Sequence, residues 1–264
     1  IAPGKIADLL LVDDLRAFRA RVVLSDGRLL ARDGRLLQEL PRFSYARAVY
    51  QSLGFPRVVP EDLRVSAPGP IARIRGIRVL GTMLTGEEAL ELKVADGGVM
   101  SDPDRDILKV VVVIRSERLL RAGLGFITGF GLQRGAVASS FNWEANNPVA
   151  LGVSDGEIAF ALERVRALGG GAVACADGQV LAEFPMPVAG VMSDASAEVA
   201  GRQIGEFQQA VWALGATLEN PFLSLQTLSF TGLPRLRLTD RGLADIRRRE
   251  LVSLLLEGTD RGDG

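Results

Sequence analysis

No histidine occurs anywhere in the 264 residues. Imidazole titrates near neutrality and is the commonest nitrogen ligand for zinc or iron. Its absence removes His-based acid–base chemistry and the ordinary donor for a transition metal. Chemistry done by these residues alone has to use carboxylates, amides, hydroxyls, Lys or Arg. The single cysteine, Cys175, excludes an internal disulfide framework and fits a reducing, cytoplasmic compartment. A net charge of −1, from 31 basic and 32 acidic residues, gives no electrostatic reason to expect nucleic acid or an anionic membrane as partner. Apolar runs such as residues 110–114 are far too short to span a bilayer, and no signal-peptide pattern opens the chain. The first residue is Ile1 rather than Met and lies inside a motif, so a portion of a longer polypeptide is expected.

What is present is a globular composition, 47% hydrophobic and 24% charged, enough for one large or two modest cores. The stretch that organises the rest is residues 129–156, GFGLQRGAVASSFNWEANNPVALGVSDG. Glycines and small residues lead into a polar and aromatic cluster, Ser139, Ser140, Asn142, Trp143, Glu144, Asn146 and Asn147, and an apolar segment follows. Such a loop presents several donors and acceptors to a small ligand. The competing reading is a loop whose Ser and Asn side chains satisfy their own backbone.

Taken in order, residues 1–40 read as short strands, Leu9 to Val12, Arg21 to Leu24, Arg28 to Ala31 and Arg35 to Leu37, with Asp26-Gly27 and Asp33-Gly34 as hairpin turns. So few strands make no independent core, and they are expected to complete a sheet that begins upstream. Five prolines between Pro41 and Pro70 mark a linker, in which residues 42–53 hold a short helix. Residues 71–115 read as β, and the run Leu108 to Ile114 suits a strand covered on both faces.

Asp102, Asp104 and Asp106 have the alternation of a calcium loop. Ile107 stands where its glycine belongs and Val113 where its closing Glu belongs, so a solvated turn is expected. The glycines from Gly123 to Gly131 lack a following helix pattern, which excludes a dinucleotide loop and points to close backbone approach.

A helix is predicted from Ser154, with Ser154 and Glu157 as a capping box, ending at Gly169 to Gly171. A hairpin turns at Asp177-Gly178. A second helix, capped by Ser193 or Asp194, runs to about Leu214, and Gly201 and Gly205 on it suggest another backbone close by. A final short helix is expected from about Asp240, with residues 247–249 as a solvated basic face and a disordered tail from residue 258. Cys175 is expected to be buried and inert.

These landmarks, in this order, resemble the C-terminal part of the adenine deaminases of the amidohydrolase superfamily. IAPGKIADLLLVDDLRAFRARVVLSDGRLL is similar to the end of the small β-sandwich that follows a metal-dependent barrel. DILKVVVVIR, GLGFITGFGLQRGAVASS, PMPVAGVMSD, PFLSLQTLSF and LRLTDRGLADI are similar to that family's extra C-terminal domain. The resemblance implies an α+β fold with residues 1–40 as the end of the β-sandwich, 41–70 as linker and 71–264 as the C-terminal domain. It implies hydrolytic deamination of adenine to hypoxanthine and ammonia, a purine substrate, and a homo-oligomer. The divalent metal it implies (manganese, iron or zinc) belongs to a barrel absent from this chain, so no metal site is expected here.

Family members carry a His-Asp-Ser-His-Asn run where this chain reads Trp143-Glu144-Ala145-Asn146-Asn147. On the catalytic side of this resemblance, Glu144 is a proton shuttle or a contact to a purine nitrogen, and otherwise a loop carboxylate in water. Trp143 stacks on a flat base or is a core aromatic. Asn146 and Asn147 contact substrate, or Asn147 braces the turn before Pro148. The lost histidines leave open another amino-heterocycle as substrate, or a stand-alone binding or dimerisation module without catalysis.

Overall fold

Leu108–Val113 is buried at every position, and its alternating side chains feed two different cores. Val110 and Val112 face one apolar cluster, Val111 and Val113 the other. A strand with this sequence is stable only inside a sheet covered on both sides, and that requirement sets the architecture. The computed structural model describes residues 2–39, 43–50, 52–143 and 145–256. Within them the chain divides into two compact units, Ile1–Ser44 and Tyr45–Gly264.

The first unit is an antiparallel meander of β1 (Leu9–Val12), β2 (Ala20–Ser25), β3 (Arg28–Arg32) and β4 (Arg35–Leu36). Both Asp-Gly pairs form its hairpin turns with positive φ at all four residues. The Asp8 carboxylate accepts the Asp26 N–H at 2.8 Å and ties the first turn to the start of the chain. No described residue of this unit is buried. Leu10 and Leu11, which point to opposite sides of β1, are 52% and 56% exposed. A sheet with neither face covered has no hydrophobic term to offset its ordering.

In the second unit a single helical turn, α1 (Arg47–Tyr50), stands within the short helix expected near residue 42, whose first position lies outside the described residues. Residues 55–65 contribute Phe55, Val58, Leu63 and Val65 to the buried interior, so this part of the proline-rich stretch is packed. A long hairpin, β5 (Ile71–Val79) and β6 (Thr85–Ala95), continues into the two-residue β7 (Gly98–Val99). Then come β8 (Leu108–Val113), β9 (Ala122–Thr128), β10 (Ala136–Ser139), β11 (Val149–Gly152), α2 (Asp155–Ala167), β12 (Gly171–Ala176), β13 (Gln179–Pro185), α3 (Ala197–Ala213) and α4 (Pro221–Thr227). A small sheet of β14 (Leu236–Thr239), β15 (Gly242–Asp245) and β16 (Glu250–Val252) ends the described chain.

The main sheet runs β13-β12-β10-β11-β8-β9-β5-β6-β7, antiparallel except for the β5–β9 pair. Helix α2 covers one face with Ile158, Ala161, Leu162 and Val165. Helices α3 and α4, with β14, cover the other through Phe207, Val211, Phe222, Leu225 and Leu238. The class is α+β. The β13 rim is blunted, and at the other rim the two-residue β7 covers only the end of β6. Strand β13 carries Glu183, paired with Arg164 of α2, and ends at Pro185, while the Val99 N–H of β7 already donates to the Val65 carbonyl at 2.8 Å.

Several sequence expectations change. The stretch from Asp240 forms the β14–β15 turn and β15 rather than a helix, because Leu238 and Leu243 pair across that turn and pack on the core. Arg247 to Arg249 accordingly lie on the exposed β15–β16 connection. The N-cap of α3 is Ser196, whose Oγ accepts the Val199 N–H at 3.4 Å, not Ser193 or Asp194. Ser154 does cap α2, but Glu157 does not return the bond; its carboxylate accepts the Asp177 N–H at 2.7 Å across the sheet. Gly201 and Gly205 face open space. Close approach occurs instead at Gly123, where a Cβ would collide with the Thr239 carbonyl on the small sheet. Asp106, in left-handed geometry, is more than a solvated turn: its carboxylate accepts the Gly129 and Gly131 N–H groups, each at 2.7 Å. The expected tail from residue 258 lies outside the described residues.

Two cations are buried among the described residues. Lys109 pairs with Asp155 and donates to the Leu63 carbonyl at 3.0 Å, and burial pushes its pKa down. Arg237 is fully buried. It donates to the Thr227 and Met83 carbonyls at 3.0 and 2.7 Å, while its Nε has no partner among the described residues. Burial lowers its pKa to about 10. Cys175 is buried, and desolvation, ahead of the nearby Glu157 charge, pushes its thiol up to about 12.

Two outcomes follow from this burial. Amide hydrogen exchange should be fastest in β1 to β4 and slowest in β8; protection of β1 to β4 equal to that of β8 would contradict the absence of a core in the first unit. Cys175 should resist Ellman's reagent at pH 8 in the native protein and react fully in denaturant, since only thiolate is reactive. The raised thiol pKa also means that Cys175 favours the folded state less as pH climbs above the unfolded thiol value of ~8.5.

Candidate functional site

The polar cluster singled out in the sequence is the loop between β10 and β11, which are paired antiparallel neighbours near the middle of the sheet. Its β10 end is fixed by two adjacent serines. Ser139 Oγ accepts the Phe141 N–H at 3.1 Å. Ser140, fully buried, donates to the Gly190 carbonyl at 2.5 Å and accepts the Gly171 N–H at 2.8 Å. The last of these ties the loop to the glycine run after α2.

Inside the loop the asparagines bond mainly to the backbone. Asn142, almost wholly buried, accepts the Asn146 N–H on Oδ1 at 3.1 Å and donates from Nδ2 to the Asn147 carbonyl. Asn146 takes the left-handed conformation, φ 49°, and its Oδ1 accepts the Asn142 N–H at 3.3 Å. These reciprocal bonds tie Asn142 to Asn146 and Asn147; Glu144 lies outside the described residues. Asn147 accepts the Arg115 N–H at 2.9 Å and donates to Asp240 Oδ1 at 3.2 Å. The loop therefore follows, in large part, the self-satisfying reading.

Trp143 is the exception. It is 43% exposed and is no core residue. Its Nε1 donates to Gln226 Oε1 at 3.2 Å, and its ring rests against Phe230 with centroids 5.7 Å apart. One edge is anchored to the end of α4 while part of the ring stays open to solvent. That geometry suits stacking against a flat molecule.

Asp240 and Arg121 are the members that the sequence did not announce. Arg121 Nε donates to Asp240 Oδ2 at 2.6 Å, and the carboxylate is 14% exposed. Asp240 thus joins the turn of the small sheet to the loop, 93 residues away, and to Arg121, 119 residues away. The sequence from about Asp240 suggests a short helix, so nothing in one dimension points to this bridge. Asn142 was visible in the polar cluster, yet its central place in the network was not.

The donor set does not fit a divalent metal. Among the described residues no three His, Cys, Asp or Glu side chains come together, and Asp240 is already neutralised by a guanidinium. No helix is long and apolar enough to cross a membrane among the described residues.

Compared with known proteins, residues 82–250 match the family model described as the adenine deaminase C-terminal domain. The chain is 37% identical over 257 residues to a protein named adenine deaminase from Kosmotoga olearia, covering 97% of this chain and 44% of that protein. It is 35% identical over 262 residues to one of that name from Clostridium botulinum, with 97% and 43% covered. The one from Moorella thermoacetica is 37% identical over 260 residues, with 97% and 44% covered. The chain thus spans less than half the length of the curated relatives it matches.

Replacing Asn142 by Ala should cost about 1–3 kcal/mol in a urea titration, because buried backbone groups lose their partners. Trp143→Ala should cost under about 1 kcal/mol, since its ring is half in solvent. Equal costs would mean that the amide network does not hold the loop.

Proposed function

The chain belongs to the adenine deaminase C-terminal domain family, and from that premise we propose that it is the C-terminal part of an adenine deaminase-like, metal-dependent hydrolase of the cytoplasm. In this reading residues 1–40 are the end of a β-sandwich, 41–70 connect, and 71–264 are the C-terminal domain. The carrying observation is the family match over residues 82–250 together with relatives named adenine deaminase aligned along 97% of the chain. The bare four-stranded unit supports it independently, for a sheet without one buried residue is in keeping with strands that finish a larger layer.

The reaction would be adenine plus water giving hypoxanthine plus ammonia. The divalent metal, manganese, iron or zinc, would supply a water-derived nucleophile and would be held outside these residues. What this chain contributes is the loop between β10 and β11. Trp143 offers its open ring to the purine face, and Glu144 moves a proton at a purine nitrogen or the departing amine. Asn146 and Asn147 contact the substrate, with their amide bonds to Asn142, Arg115 and Asp240 holding the loop's shape as they do so. The whole protein would be a homo-oligomer. A second reading keeps the fold and changes the substrate to another amino-heterocycle, because Trp143-Glu144-Ala145-Asn146-Asn147 carries no histidine.

The test is ammonia release from adenine by the complete protein and by this chain alone. Turnover is expected only for the complete protein, and Glu144→Gln there should lower kcat by roughly 10²–10⁴-fold. Turnover by the isolated 264 residues would overturn the division of labour, and an unchanged rate for Glu144→Gln would remove that residue from the chemistry.

A further inference from the structure

Beneath the β10–β11 loop lies a cavity of about 120 Å³ whose walls include Val112, Asn142, Ala145, Asn147, Ser229 and Asp240. That volume is several times the ~10–15 Å³ a single water needs and below the ~300 Å³ of drug-sized sites. One wall residue is chemically unfinished. Ser229 is 7% exposed, and its buried Oγ has no hydrogen-bond partner among the described residues. A buried hydroxyl left unpaired bears the full penalty of its lost hydration, so something in the cavity is called for.

The charges around it restrict what that is. The Asp240 carboxylate is neutralised by Arg121, so the wall as a whole favours neither a cation nor an anion. Asp240 Oδ2 is occupied by Arg121, whereas Oδ1 takes a single bond from Asn147 and keeps a lone pair. Thr231 and Thr239 also line the wall, and the Thr239 hydroxyl already donates to the Gly242 carbonyl and accepts the Arg241 N–H. The acceptor with room is therefore Asp240 and the unpaired hydroxyl is Ser229, with Val112 and Ala145 as apolar surface.

We propose that this cavity binds a small, flat, uncharged heterocycle carrying N–H donors, of the class of the free nucleobases, with Asp240 and Ser229 as its polar contacts. The choice of a purine within that class rests on the deaminase reading. The ligand closes the hydrogen bonding of Ser229 and lies under Asn142 and Asn147, so its binding is coupled to the shape of the loop that presents Trp143.

The test is a heteronuclear NMR titration of the isotope-labelled chain with adenine and with hypoxanthine, and with ammonium and inorganic phosphate as charged probes. Saturable shifts at Asn142, Ser229 and Asp240 are expected for at least one base at millimolar concentration or below, and none for the ions. Ser229→Ala should weaken binding about fivefold, the equivalent of one hydrogen bond. Ala145→Phe, at an exposed loop position, should abolish it with the melting temperature unchanged. No saturable shift with either base would mean that Ser229 faces a trapped water only, and the site falls. Binding indifferent to both variants, or binding of phosphate or ammonium at these residues, overturns it as well. Adenine turnover by the complete protein, measured separately, keeps the two readings apart. Turnover without binding here sinks the cavity alone, and binding here without turnover sinks the deaminase alone.

Discussion

The structure depends on one strand that has no tolerable place outside a covered sheet. Leu108–Val113 puts valines on both faces and a single lysine among them. Pairing with β9 on one side and β11 on the other satisfies the strand's peptide groups. Helix α2 and the α3–α4 layer then bury its two faces. Lys109 would be the weak point of that arrangement. Its charge is met by Asp155 at the start of α2 and by the Leu63 carbonyl, so the same ion pair that makes burial tolerable also pins α2 and the segment before β5 onto the strand. Arg237 repeats the theme with carbonyls in place of a carboxylate, linking the end of α4 to the β5–β6 connection.

The loop that carries the candidate chemistry inherits its position from this frame. Its strands, β10 and β11, are alanine- and valine-rich and buried on both faces, so the hairpin cannot slip without moving an entire layer. Its amides are mostly spent on its own backbone, and a loop shaped in this way offers few adaptable contacts. What reaches solvent is an indole ring held at one edge by Gln226 and Phe230. Rigidity in the polar part and exposure in the aromatic part are complementary, because a stacking surface works best when little ordering is left for the moment of binding.

Much of this was legible in the sequence where the signal is local. The Asp-Gly turns, the doubly covered valine strand, the Ser154 cap and the glycine run after α2 each depend on neighbours within a few positions, and all stand in the structure. Contacts that depend on a distant partner were not legible. Asp240 carries no mark of a bridge until Arg121 and Asn147 are beside it, and the stretch from residue 240, which suits a short helix, becomes a strand because Leu243 has Leu238 opposite. Glu157 was correctly placed in the first turn of α2 but is drawn across to the β12–β13 turn. Gly201 and Gly205 have helix-packing spacing with no helix against them.

The rims of the nine-stranded sheet bear on assembly. Along β13 the free backbone ladder is interrupted by Pro185 and by the ion-paired Glu183, while at the far rim β7 covers only Val94 and Ala95 of β6 and donates its own Val99 N–H to Val65. A neighbour's strand meets an interrupted ladder at β13, which opposes ribbon-like growth of this valine- and alanine-rich sheet from that rim. Association that avoids that rim is made side chain to side chain, through helix surfaces or the exposed leucines of the amino-terminal meander.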